Sequence, residues 1–156
     1  MSPRKALLTW ILAASSLVSI ASVAHAEGTV QVAPASSPPN TAKWVPPALK
    51  QAVEEGLAST PAITPVGYTV FPHLLELRRF VENDPKKPTL VCVVELTLLD
   101  ERDGRIVAKT RGSANSATAS ERDVLRVAAD GATTRIANTL ATLARRESPS
   151  KPVAKN

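Results

Sequence analysis

The chain is short of the side chains from which most active sites are built. It has one cysteine, two histidines, one tyrosine and two tryptophans in 156 residues. The lone thiol, Cys92, cannot close an internal disulfide. Its setting, "LVCVVEL", has apolar neighbours and no cation within two positions, which suits a small buried hydrophobe better than a reactive thiolate. His25 falls in the N-terminal leader described below, so His73 is the one histidine of the mature chain and a multi-histidine metal site is excluded. Cys92 and His73 lack zinc-ligand spacing. As a nucleophile and base they would have to join the buried face of a strand to the start of a helix. No glycine-rich phosphate loop is present, and "GSANS" at 112–116 reads as a small polar loop instead of a nucleophile elbow. After the leader the aromatic residues are Trp44, Tyr68, Phe71 and Phe80. None interleaves with the basic stripe Arg105, Lys109 and Arg111, so a stacking platform for nucleic acid is missing. The expectation is a protein with no catalytic set, no cofactor and no metal.

What is present begins with an export signal. Arg4 and Lys5 precede the apolar run "ALLTWILAASSLVSIASV", and Ala24-His25-Ala26 is a small-residue cleavage site. Residues 1–26 thus read as a signal peptide removed before Glu27, an uncleaved anchor being the alternative reading of the same run. No cysteine lies near the site, which excludes a lipoprotein signal. Cleavage removes two of the 19 basic residues and none of the 14 acidic ones, leaving a net charge of +3, too small to argue for nucleic acid. The expected location is periplasmic or secreted, with no integral membrane span after cleavage.

Residues 27–43, rich in Pro, Ala, Ser and Val, lack the apolar surface to offset their ordering entropy and read as a flexible tether. Residues 148–156, "SPSKPVAKN", read as a disordered basic tail. Between them, residues 44–147 form one domain. Pro46 and Pro47 suit a helix start, and Leu49, Val53 and Leu57 repeat on one face of a helix ending near Gly56. "AITPVGYTV" is extended in character, and Pro65 makes it an edge strand. In residues 72–82 the spacing of Leu74, Leu77 and Val81 after Pro72 favours a short helix, while Leu75 and Leu77 leave a strand as the alternative; "NDPKKP" is a loop.

"TLVCVVELTLL" alternates cleanly. Leu90, Cys92, Val94, Leu96 and Leu98 share a core face, and Glu95 and Thr97 mark the wet one. Beyond Gly104 the pattern resumes with Ile106, Ala108 and Thr110 inward and Arg105, Val107, Lys109 and Arg111 outward. Pairing Leu99 with Arg105 sets Glu95 against Lys109 and Val94 against Thr110. The long segment from Ser120 to Glu147 carries a capping box, Ser120 and Asp123, and a stripe of Leu125, Ala128, Ala132, Ile136, Leu140 and Leu143. Gly131 interrupts it and marks close packing or a slight bend. The fold expected is α+β, a small antiparallel sheet with two or three helices packed on one face.

Asp100, Glu101 and Asp103 crowd against Gly104, as in a cation-binding loop. Arg102 stands at the third ligand position, however, and Arg111 falls where a bidentate Glu is required. Two cations in a ligand array favour a hairpin turn in which Gly104 supplies a positive φ.

The run "VVELTLLDERDGRIVAKTRGSA" followed by a long alanine-rich helix resembles a module of bacterial envelope proteins. It is shared by the curli-secretion lipoprotein, the outer-membrane activators of penicillin-binding proteins and the amino-terminal domain of the Tol translocation protein. Leu98, Leu99, Asp100, Gly104, Ile106, Val107 and Ala108 carry the match, with Asp103 where the module has Thr. The resemblance implies a non-catalytic accessory protein of the envelope and assigns no binding residues. A protein partner in the envelope is therefore expected, and its candidate surface is the outward side of the hairpin, Glu95, Thr97, Val107, Lys109 and Arg111, with the edge around Pro65. The alternative function is a small-molecule binder or hydrolase with an apolar pocket between sheet and helices. N-terminal sequencing of the exported protein is expected to begin at Glu27; a chain retaining residues 1–26 would refute the leader assignment.

Overall fold

Five alternate residues of one strand, Leu90, Cys92, Val94, Leu96 and Leu98, are fully buried and set the architecture, because a face so uniformly apolar must be covered from one side. The computed structural model describes residues 30–60, 67–81 and 88–147. Its elements are β1 (Gln31–Val32), α1 (Val45–Ala58), β2 (Tyr68–Phe80), β3 (Thr89–Asp100), β4 (Arg105–Ser116) and α2 (Glu121–Glu147). The sheet has the order β1-β2-β3-β4. β1 runs parallel to β2, and the other pairs are antiparallel. Both helices lie on the face carrying Val70, Leu74, Val94 and Leu96, where Leu49 and Val53 of α1 meet Leu125, Ala128 and Ile136 of α2. The α+β expectation holds, with a sheet that is mixed through β1. Among the described residues no helix is long and apolar enough to cross a membrane.

The two helices form where their sequences predict. Prolines occupy the first turn of α1, where a missing N–H costs nothing, and Val45, Leu49 and Val53 are buried. At the start of α2 the Asp123 N–H donates to the Ser120 hydroxyl and the Ser120 N–H to the Asp123 carboxylate, which completes the capping box. Hydrogen bonding to Ser120 holds the Asp123 carboxyl below its usual range.

Residues 72–80 are strand, not helix. Pro72 lies inside β2, opposite Leu96. Its carbonyl accepts from Ser36 N–H at 2.9 Å and the Leu74 N–H donates to the Ser36 carbonyl at 2.8 Å, so Pro72 presents its donor-less nitrogen to the β1 side and deprives the β2–β3 ladder of nothing. A bulge between Leu74 and Glu76 leaves Leu75 out of the ladder, and this break in the period of two let a helical spacing emerge. The same contacts correct the tether. From residue 30 the segment is tied to β2 through Gln31, Val32, Ala33 and Ser36, because backbone hydrogen bonds to an open strand supply what its composition does not. Tyr68–Val70 accordingly belongs to an inner strand, and β1 is the edge. The leader, residues 27–29, Pro65, most of the "NDPKKP" loop and the tail lie outside the described residues.

The β3–β4 hairpin keeps its expected faces by a different register. Asp100 pairs with Arg105 around a turn of Glu101–Gly104, and a bulge between Leu98 and Leu99 restores parity, so that Leu98 faces Ala108 and Val94 faces Gly112. Glu95 consequently faces Arg111, and Lys109 faces Thr97. Ile106, expected inside, precedes the bulge and is 53 % exposed. Gly104 has φ +68° with open space around it, as the turn requires.

In that turn a guanidinium takes the place a cation would have held. Arg102 donates to both Asp100 oxygens at 2.8 and 2.9 Å, to Glu147 Oε1 at 2.9 Å and to the Tyr68 hydroxyl at 2.7 Å, with its carbon 5.2 Å from the Tyr68 ring centre. Arg102 pulls the Asp100 carboxyl down to about 2. Glu101 bonds the Thr69 hydroxyl, and Asp103 accepts from the Arg105 N–H at 3.0 Å. The three acidic side chains of the loop are each engaged.

The tightest contact is between β4 and α2. A Cβ on Gly112 would stand 1.9 Å from the Ala128 carbonyl oxygen and 2.7 Å from the Ala132 nitrogen, and Gly131 lies directly against Gly112. Close packing or a slight bend was expected at Gly131; the residue that demands close packing is Gly112, on the strand. Gly112→Ala is expected to cost about 1–3 kcal/mol by forcing the strand off the helix. Gly104→Ala, where only the positive φ resists, should cost about 1 kcal/mol; urea unfolding of both variants checks the order. The Asp100 carboxyl, depressed when folded from an ordinary value of 3.8 to about 2, stabilises the fold above about pH 4 and loses that contribution as pH falls to about 2. Asp100→Asn should lower the melting temperature at pH 7 and flatten its decline between pH 4 and 2.

Candidate functional site

On the face of the sheet opposite the helices, four strand positions line up across the molecule: Ser36, His73, Glu95 and Arg111. The pleat puts His73, Glu95 and Arg111 there, since each is one residue removed from a buried residue on the inner face, and Ser36 joins them through its bridge to His73. Glu95 is the centre of the row. It accepts from Arg111 Nε at 2.9 Å through one oxygen and lies 3.8 Å from Lys109 Nζ through the other. The Arg111 bond, with the Arg111, Lys109 and His73 charges, holds the Glu95 carboxyl below its usual range against the opposing pull of desolvation.

Of the five residues expected to form a partner surface, Glu95, Lys109 and Arg111 come together as this ionic group. Thr97 is only 8 % exposed, because its short side chain lies between Phe71 of β2 and Lys109 of β4, which are directly opposite it. Val107 is the bulged residue of the hairpin and packs against the margin of the core. These two contribute little free surface. The sequence reading missed Phe71, just before the 72–82 segment, and also His73 and the outer side of β2, which the favoured helix assignment had removed from the sheet. The alternation of Leu75 and Leu77 was the available signal, blurred by the bulge. Half-exposed Phe71, Val91, Val93 and Leu99 complete this face, and among the described residues no element covers it.

His73 Nδ1 contacts the Ser36 hydroxyl. Together with the Ser36 backbone bonds to Pro72 and Leu74, this contact fastens the outer segment to β2. Both oxygens of Glu95 are taken by Arg111 and Lys109, so the carboxylate is spent mainly on β4 and not on orienting the imidazole. Cys92 lies on the opposite face from His73, fully buried, with its thiol pushed up to about 11 by burial and then by Glu76. A Cys–His pair is therefore not assembled.

Two cavities open along the seam between α1 and α2. One, of about 310 Å³, is lined by Glu55, Ser59, Thr60, Arg126, Asp130 and Thr133. A neighbouring one of about 510 Å³ runs past Trp44, whose ring lies 5.3 Å from the Arg122 guanidinium carbon. The Thr133 hydroxyl is buried without a protein partner beside the first. Among the described residues no group of three or more His, Cys, Asp or Glu side chains is placed to hold a metal ion.

No protein-family model matches the chain, and no curated protein matches it. Solved structures do. A protein of Caulobacter crescentus assigned to the lipoproteins is 20 % identical with a TM-score of 0.50, over 78 % of this chain and 93 % of that one. PelC from Paraburkholderia phytofirmans, solved as a dodecamer, is 12 % identical with a TM-score of 0.57, over 72 % of this chain and 87 % of that one. At such identities the likeness is one of backbone. The chain shares its fold with these bacterial proteins.

Proposed function

We propose that the chain is an exported accessory protein of the bacterial envelope, periplasmic or secreted, that acts by protein–protein contact and without catalysis. The observation that carries this reading is the outer face of the sheet. It is uncovered among the described residues, its centre holds Phe71, Val93 and Leu99, and its polar row is Ser36, His73, Glu95 and Arg111. An apolar patch crossed by charges has the composition of a protein contact, where the former supplies energy and the latter register. The leader in the sequence and the lipoprotein description of the Caulobacter structure support the envelope, and PelC is a precedent for assembly on this fold. The resemblance of the hairpin to the module of envelope-assembly proteins points the same way.

The second reading, a small-molecule binder, rests on the α1–α2 seam and the unpaired Thr133 hydroxyl. A photo-crosslinking residue at Val93 separates the two. It should trap an envelope protein, whereas one at Arg126 on the seam should not; equal yields, or turnover by the purified protein, would overturn the proposal. Charge reversal offers an independent check. Lys109→Glu with Arg111→Glu leaves Glu95 facing two like charges, so Glu95→Lys is added to restore the pairs. The triple variant should keep its stability within about 1 kcal/mol, because each charge retains an opposite partner across the strands, and lose the crosslinked partner.

A further inference from the structure

The direction of the backbone groups in β4 follows from Pro72. Its carbonyl and the Leu74 N–H both engage Ser36, so the backbone of residue 72 points to β1 and Leu96, opposite it, points to β4. Glu95 and Thr97 therefore point to β2. Their partners on β4, Arg111 and Lys109, turn their N–H and C=O groups away from the sheet, as do Ser113 and Asn115 farther along. Arg135 of α2 confirms the direction, for its Nη1 donates to the Arg111 carbonyl at 2.7 Å from outside. Among the described residues that is the one hydrogen bond made to this row.

We propose that the free edge of β4 is a docking site for an acidic, extended segment of a partner protein, which joins the sheet as a fifth strand. The inference deepens the protein-contact reading above and rests on it. Charge selects the occupant. Lys109 and Arg111 stand at alternate positions on the edge strand and share the single carboxylate of Glu95, with the Arg135 guanidinium beside them. A second copy laid edge to edge would set these cations against each other, whereas a strand with Asp or Glu at every other position meets them with opposite charge. Shape agrees. Val127, Gly131 and Arg135 are spaced four apart and form one stripe of α2. Arg135 reaches the β4 edge, Gly131 lies 3.9 Å from the Gly112 Cα measured from where its Cβ would be, and Val127 is 59 % exposed. This stripe is a shelf beside the edge. An added strand would lay its inward side chains on it, a small one over Gly131 and an apolar one against Val127.

The test uses the full chain and a fluorescent peptide that alternates Glu with Val and Ala. Two controls accompany it, one N-methylated at alternate amides and one with Lys in place of Glu. The acidic peptide should bind saturably and slow hydrogen exchange at the Lys109, Arg111 and Ser113 amides, and both controls should bind at least about tenfold more weakly. Ser113→Pro removes an outward N–H and no bond to β3, and should lose the peptide while keeping the melting temperature; Val127→Lys should weaken binding without abolishing it. Several results would overturn the proposal. The N-methylated peptide could bind equally well, or the three amides could be protected already in the free protein, meaning that the edge is occupied. Self-association removed by Ser113→Pro would make a second copy the occupant. If the peptide does not bind while the crosslink at Val93 forms, the edge assignment alone fails. If the peptide pairs and no crosslink forms, the contact through the outer face fails and the edge stands.

Discussion

The approach of α2 to β4 at Gly112 is the constraint on which the other parts depend. With the Ala128 carbonyl where a side chain would be, the helix lies flat beneath the strand, and its small residues, Ala128, Ala129 and Ala132, become the floor of the core. α1 then fits alongside, with Gly56 against Thr133 repeating the device on a lesser scale. Both helices are thereby committed to one side of a four-stranded sheet. The uncovered outer face, with its ionic row, is a consequence of that one-sidedness.

What was legible in the sequence had a period, and what was hidden did not. The alternation from Leu90 to Leu98 and the capped stripe from Ser120 to Leu143 each repeat for several cycles, and each element is found where it is expected. β2 was concealed by its own irregularities, a proline whose missing donor faces the edge and a bulge at Leu75. β1 was concealed for another reason. Two residues held by the backbone of a strand some forty positions away leave no mark in side-chain composition.

The candidate site was half legible for a related cause. Parity survived two compensating errors, a turn one residue shorter than expected and a bulge that restored the count, so Glu95, Lys109 and Arg111 appear on one face although their pairing moved by two positions. Parity does not protect a residue at the bulge itself, and Ile106 and Val107 changed roles accordingly. Nor does it report the height of neighbouring side chains, which is why Thr97 is covered.

The Arg102 cluster has a consequence for the order in which the fold can close. It joins the first residue of β2, the turn after β3 and the last described residue of α2, so that the Tyr68–Glu147 bond spans 79 residues and the Arg102–Glu147 bond 45. A chain made from its N-terminus delivers Tyr68 and Arg102 long before Glu147. Until the end of α2 arrives, the guanidinium has Asp100 and the Tyr68 hydroxyl but lacks its second carboxylate. The last turn of α2 thus acts as a latch on the cluster, which is complete only when that turn has emerged.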